Sequence, residues 1–198
     1  MKFFIASKNK HKIEEFIRIL KPLGIDIISE ADLDKPLFEV DETGSTFEEN
    51  AVLKANSAMK ETGLPSIADD SGLCVDYLDG APGIYSARFA GEPTDNDKNN
   101  QKLLELLKDV PTEQRGAHFL SCIACVFPNG DKIIAYGRCY GRIAFEYHGT
   151  NGFGYDPLFI SDLGSFGEIT GEEKDSISHR GVALKDFVKK LVTYLNEV

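Results

Sequence analysis

The chain has 198 residues, 42% of them hydrophobic, and a formal net charge of -10. That is enough apolar material to bury a sizeable core, and too acidic a balance for general nucleic-acid binding, which needs a basic surface. No stretch approaches the ~20 apolar residues of a membrane span, and the first apolar run, Phe3 to Ala6, is too short for a signal-peptide core, so a cytoplasmic chain with no membrane partner is expected.

In chain order, the first element is a short strand at Phe3-Phe-Ile-Ala6, followed by a polar segment and a helix on which Ile13, Phe16, Ile17 and Leu20 recur at helical spacing. Pro22 and Gly24 end it. A second strand is expected at Ile25-Asp-Ile-Ile28, and the acidic stretch after it reads as an irregular connection. A second helix starts near Thr46, where Thr46-x-x-Glu49 offers a capping box, and stops at Gly63 before Pro65. A strand with polar interruptions covers residues 66–76, and a Gly/Pro-rich loop covers 80–91. A helix follows over about 96–107, then two strands joined through Pro128-Asn-Gly-Asp131, a hairpin signal. The last element is an amphipathic helix with Leu184, Phe187, Val188, Leu191 and Leu195 on one face. Strands mixed with helices, including a hairpin, indicate an α/β protein with a mixed sheet and no internal repeat or linker. Cys122 and Cys125 have C-x-x-C spacing but fall in a strand, which sends their side chains to opposite faces; the four cysteines read as buried thiols.

Charge is unevenly spread. Residues 1–21 carry Lys2, Lys8, Lys10, Lys12, Arg18 and Lys21 against Glu14 and Glu15, whereas residues 26–50 hold nine acids and one lysine. A small anion bound together with a metal suits this distribution better than a polyanion. Ser7-Lys-Asn-Lys-His-Lys12 lies between a strand and a helix start, where free N–H groups and the helix dipole favour an anion; ordinary capping by Ser7 or Asn9 explains the same residues equally well. Asp69 and Asp70 follow apolar residues on a strand, so alternation sends them opposite ways: one active carboxylate and one structural neighbour, or else a plain Asp-Asp-Ser-Gly turn. The G-x-G of Asn151-Gly-Phe-Gly-Tyr-Asp156 leads into Pro-Leu-Phe-Ile rather than a helix, and there is no G-x-x-x-x-G-K-[ST], so neither a P-loop nor a dinucleotide-binding fold is indicated.

Six segments in order resemble the inosine-triphosphate pyrophosphatase family. They are Ser7-Lys-Asn-Lys-His-Lys12, Glu42-Thr-Gly-Ser-Thr-Phe-Glu-Glu-Asn-Ala51, Ala68-Asp-Asp-Ser-Gly72, Gly80-Ala-Pro-Gly-Ile-Tyr-Ser-Ala-Arg88, Gly152-Phe-Gly-Tyr-Asp-Pro157 and Ser178-His-Arg-Gly181. The resemblance covers nearly the whole chain. It implies a single pyrophosphatase domain over 1–198, a two-lobed α/β protein around a long mixed sheet, a nucleotide cleft between the lobes, and a homodimer. The implied reaction converts nucleoside triphosphates of inosine and xanthosine, and their deoxy forms, to monophosphate and pyrophosphate.

By the same resemblance, the triphosphate falls to Ser7, Lys8, Asn9, Lys10, His11 and Lys12, with Lys54 adding a contact. Glu42 and Asp70 become ligands of magnesium, for which manganese can substitute, and Asp70 also the base that activates water. Base recognition falls to Phe153, Gly154, Tyr155, Asp156, Lys174, His179 and Arg180, with Ser71 in support. An aromatic ring stacks on any base, whereas the donors of Arg180 suit a 6-oxo group and disfavour the 6-amino group of adenine. On their own, His179 and Arg180 read as a solvated helix start. Serine at position 7 stands where many relatives carry threonine, and Lys8 where glycine is common.

Overall fold

The computed structural model describes residues 2–35, 37 and 40–197. Its strands are β1 Lys2–Ile5, β2 Asp26–Ile28, β3 Ser66–Val75, β4 Gly116–Val126, β5 Lys132–Ile143, β6 Phe159–Ser161 and β7 Gly164–Ser165; its helices are α1 Lys10–Leu20, α2 Phe47–Thr62, α3 Asn96–Leu106, α4 Gly171–Ile177 and α5 His179–Glu197. The strands form a mixed sheet in the order β2-β1-β3-β4-β5-β6-β7. β1 runs parallel to β2 and β3, while β6 is antiparallel to β5 and β7. This is the α/β class with a mixed sheet that the element pattern predicts. No helix among the described residues is long and apolar enough to cross a membrane.

The chain divides into two compact units. The first comprises Met1–Asp70, Ser121–Gly137 and Arg180–Val198. Its core packs Phe3 and Ile5 of β1 with Phe16 and Leu20 of α1, Ile67 of β3, Ile123 and Cys125 of β4, and Leu184, Phe187 and Leu191 of α5. The second comprises Ser71–Leu120 and Arg138–His179. Its core joins Leu73 and Val75 of β3 to Leu103 and Leu107 of the α3 segment, Phe119, Ile143, Leu158, Phe159 and Phe166.

Helix ends follow local chemistry. Asn9 caps α1 by accepting from the Lys12 amide at 3.2 Å, and Gly24 and Gly63 take the left-handed conformation that closes a helical segment without a Cβ penalty. Thr46 caps α2, but the reciprocal half of its box has moved one residue upstream: Glu49 accepts from the amide of Ser45 at 2.7 Å. The 128–131 hairpin turn forms as expected, with the Phe127 amide donating to the Asp131 carbonyl at 2.9 Å. All four cysteines are free and buried, and burial pushes the Cys122 thiol up to about 12 and Cys139 to about 11, which keeps them inert.

Several elements differ from the periodicity. Ile17 and Leu195 are exposed, because the core-facing seams run through Phe16 and Leu20, and through Leu184, Phe187 and Leu191. The 80–91 loop contains a 3₁₀ stretch at Gly83–Arg88, and the acidic connection another at Glu30–Asp32. Neither β7 nor α4 was expected. The second carries a legible signal, a Thr170-x-x-Glu173 box in which both halves form.

Arg115 is fully buried in the second unit with its guanidinium spent on carbonyls: Ile143 and Ala144 at 2.8 Å each, Leu107 at 2.5 Å and Val110 at 3.3 Å. It also lies 4.1 Å from the centroid of the Phe145 ring. It therefore ties the chain after α3 to the end of β5. Arg115→Met is expected to lower unfolding free energy by about 2 kcal/mol, read by urea denaturation, since it leaves buried carbonyls without donors.

Candidate functional site

In the first unit, the polar segment after β1 leads directly into α1. Here the side chains serve the turn: Ser7 accepts from the Asn9 amide at 3.2 Å, and Asn9 is the cap described above. Lys8, Lys10 and His11 are exposed, whereas Lys12, in the first turn of α1, reaches inward to Asp69 at 2.8 Å. Burial pulls the Lys12 ammonium below its ordinary range despite Asp69, and the nearby charges of Arg180 and Lys54 add to the effect.

Asp69 and Asp70 sit side by side on β3 and engage different partners, as strand alternation requires. Asp69 accepts from Ser121 at 2.5 Å, Lys12 at 2.8 Å and Arg180 at 3.0 Å. Burial alone would raise its carboxyl, but Arg180 and Lys12 outweigh it and hold the group well below the usual carboxylate range. Asp70 accepts from Lys54 at 2.9 Å and from Asn50 at 3.4 Å. Its carboxyl is raised, because burial exceeds the pull of Lys54 and Glu42 adds like charge. A raised carboxyl is a better proton acceptor than an ordinary aspartate, which suits a base.

Lys54, on α2, joins the two acids expected to hold metal: its ammonium lies 2.7 Å from Glu42 and 2.9 Å from Asp70. Desolvation acts to lower its pKa, but those two carboxylates together raise it. Asn50, one turn earlier, uses both ends of its amide. Its oxygen accepts from the Gly44 amide at 2.8 Å and its nitrogen donates to Asp70, so one side chain ties the loop bearing Glu42 to the strand bearing Asp70. A Cβ on Gly44 would come within 2.6 Å of that amide oxygen, so glycine permits the approach.

Glu15, Glu42, Asp69 and Asp70 thus face Lys12, Lys54 and Arg180, four carboxylates against three cations. A net-negative cluster is a poor host for a triphosphate until a cation is added. Two carboxylates meeting at Glu42 and Asp70 are the hard oxygen donors, in the number, that magnesium takes from a protein before completing its shell with phosphate and water. The residues present fit that ion.

Arg180, expected among the base-reading residues, belongs to this first unit, and its terminal nitrogens donate to Glu15 and Asp69. A buried guanidinium requires counter-charge, and these two carboxylates supply it. Glu15, Asn50 and Ser121 are the residues that motif spacing does not single out. Glu15 falls off the seam of Ile13, Phe16, Ile17 and Leu20, and Ser121 lies outside the six segments, so neither leaves a signal; Asn50 lies within the 42–51 segment, and that membership is its one trace.

In the second unit, the remaining base-reading candidates assemble around residues 152–156. Asp156 and Lys174 form a buried ion pair at 2.6 Å, and Asp156 also accepts from the Phe153 amide at 2.8 Å. The Lys174 ammonium lies 4.9 Å from the centroid of the half-buried Phe153 ring. Gly152 and Gly154 both take positive φ, and a Cβ on Gly152 would collide with the Asp156 carboxylate. Tyr155 is buried with its hydroxyl donating to the Ser86 carbonyl at 2.8 Å, and His179 stacks on Phe119 at 4.7 Å between centroids. Ser71 is half-buried at the start of this unit, immediately after Asp70. Phe153 thus presents its ring from a backbone fixed on both sides, beside a paired acid and base.

The chain is 48% identical over 199 residues to the dITP/XTP pyrophosphatase of Exiguobacterium sibiricum, covering 100% of both chains, and 49% identical over 189 residues to that of Escherichia coli O157:H7, covering 93% of this chain and 94% of the other. Among solved structures, a HAM1 protein from Coxiella burnetii superposes with a TM-score of 0.85 at 40% identity, with both chains fully covered. The Staphylococcus aureus Ham1 protein gives 0.81 at 39% identity, covering 100% of this chain and 99% of that one. The model of the Ham1 family matches residues 3–190. With that match, and with similarity over the full length of named relatives, the chain belongs to the Ham1 family.

Proposed function

We propose that this chain is a nucleoside-triphosphate pyrophosphatase that hydrolyses inosine, deoxyinosine and xanthosine triphosphates to the monophosphate and pyrophosphate, with magnesium as its cofactor. The observation that carries the reading is the meeting of Glu42 and Asp70 at Lys54, inside a charged cluster next to the N-terminus of α1. The names of the relatives supply the substrate class.

Water adds across the anhydride between the α and β phosphates: its oxygen bonds to phosphorus, the bridging P–O bond breaks, and pyrophosphate leaves. Asp70 orients the water and takes its proton. Lys12 and Lys54 offset phosphate charge, and the positive end of the α1 dipole adds to them. Magnesium, held by Glu42 and Asp70, would supply further charge neutralisation at the phosphates, and manganese can replace it. Phe153 stacks on the purine, while Asp156, Lys174 and His179 supply polar groups that distinguish bases. A homodimer working on the cytoplasmic nucleotide pool belongs to the same proposal.

The test is a substrate panel with product identification. Purified chain with magnesium should convert inosine triphosphate to equal amounts of monophosphate and pyrophosphate, faster than it converts adenosine, guanosine or pyrimidine triphosphates. Chelation should stop turnover, and added magnesium or manganese should restore it. Orthophosphate as first product would overturn the reading.

A further inference from the structure

Two consecutive asparagines on α3, Asn99 and Asn100, are buried at 2% exposure each, and no step of the chemistry above uses them. Both project from α3, where a polar side chain is ordinarily exposed unless it has work to do. Asn99 closes the turn after the 3₁₀ stretch Gly83–Arg88. Its oxygen accepts from the Ala90 amide at 2.7 Å, and its nitrogen donates to the carbonyls of Ala87 at 3.0 Å and Ser86 at 3.4 Å. Asn100 donates to the Gly154 carbonyl at 3.0 Å, in the peptide that joins Gly154, next after Phe153, to Tyr155.

The circuit closes through Tyr155, whose hydroxyl donates to the same Ser86 carbonyl that Asn99 holds. Ser86 in turn accepts from the Leu73 amide at 2.9 Å through its own hydroxyl, anchoring the turn to β3. The 83–90 stretch and the 152–156 loop are therefore one hydrogen-bonded body carried by adjacent residues of α3. Asn100 achieves this while its own amide oxygen is buried with no hydrogen-bond partner among the described residues.

We propose that Asn100, supported by Asn99, is a positioning residue for base recognition: by holding the Gly154 carbonyl it fixes the angle at which Phe153 offers its ring to the purine. This rests on the base-reading role given to Phe153 above. Loss of the bond loosens the ring rather than removing a substrate contact, so it weakens ground-state binding and leaves the phosphate chemistry alone.

The experiment is steady-state kinetics of the full chain with magnesium and inosine triphosphate, for wild type, Asn100→Ala, Phe153→Ala and the double variant. Asn100→Ala is expected to raise KM about tenfold, on the scale of a lost buried hydrogen bond, with kcat within twofold of wild type. In the Phe153→Ala background the same change should move KM less than twofold, because the residue acted through that ring. A folded Asn100→Ala with unchanged KM, or an equal KM effect in both backgrounds, overturns the proposal. If Asn100→Ala does not fold, Tyr155→Phe, which removes only the hydroxyl bond to Ser86, decides by the same comparison. A wild-type chain with no turnover of inosine triphosphate refutes the pyrophosphatase reading itself, and this proposal with it; active wild type with a silent Asn100→Ala refutes this proposal alone.

Discussion

Asp70→Asn is expected to lower kcat for inosine triphosphate by about 10³-fold, within the range that a positioned base contributes, while nucleotide binding stays largely intact. Asparagine keeps the shape and still offers an oxygen to Lys54 and Asn50, so the local packing survives. What goes is the capacity to take a proton from water. Turnover read by pyrophosphate release, paired with calorimetric titration of the nucleotide, separates these effects. Wild-type kcat in this variant would remove Asp70 from the role.

Its neighbour should show the larger effect on stability. Asp69→Ala takes one carboxylate from between Lys12, Arg180 and Ser121, and leaves Lys12 without that counter-charge in a buried place. Breaking a buried ion pair from one side costs about 3–5 kcal/mol, so urea unfolding should shift by that amount. The pH dependence follows from the depressed carboxyl. A folded-state pKa below the unfolded value of about 3.9 contributes stability that is fully present above that value and lost as pH falls toward the folded one. Asp69→Asn should therefore flatten the acid limb of the stability curve below about pH 4. Asp70, raised rather than depressed, has the opposite sign: its contribution is present at low pH and disappears as pH rises through its folded value.

The two aspartates show how far residue order reaches. Alternation along β3 is enough to say that adjacent side chains part company and are not a shared-proton dyad. It does not say which partners each meets. Asp69 finds Lys12 from α1 and Arg180 from α5, residues 57 and 111 positions away along the chain, and only packing of those helices brings them together. The same holds for Arg180: its burial demands carboxylates, and its place beside His179 in the sequence does not say which ones. Glu15 answers that demand, although helical spacing marks its position as neither core nor site.

Periodicity, caps and turn residues act over a few positions, so strands β1 to β5, the main helices, the hairpin and the mixed α/β class could be read directly from the residues. Six ordered segments likewise marked the family and, through it, Glu42, Lys54, Asp70 and Phe153. What the folded chain alone decided is the wiring among them: Lys54 between Glu42 and Asp70, Asn50 joining their two segments, and Asn100 holding the loop of Phe153. The reason is physical. Each of these contacts satisfies a charge or polar group that burial would otherwise penalise, and which groups become buried together is set by packing over long separations, not by local spacing.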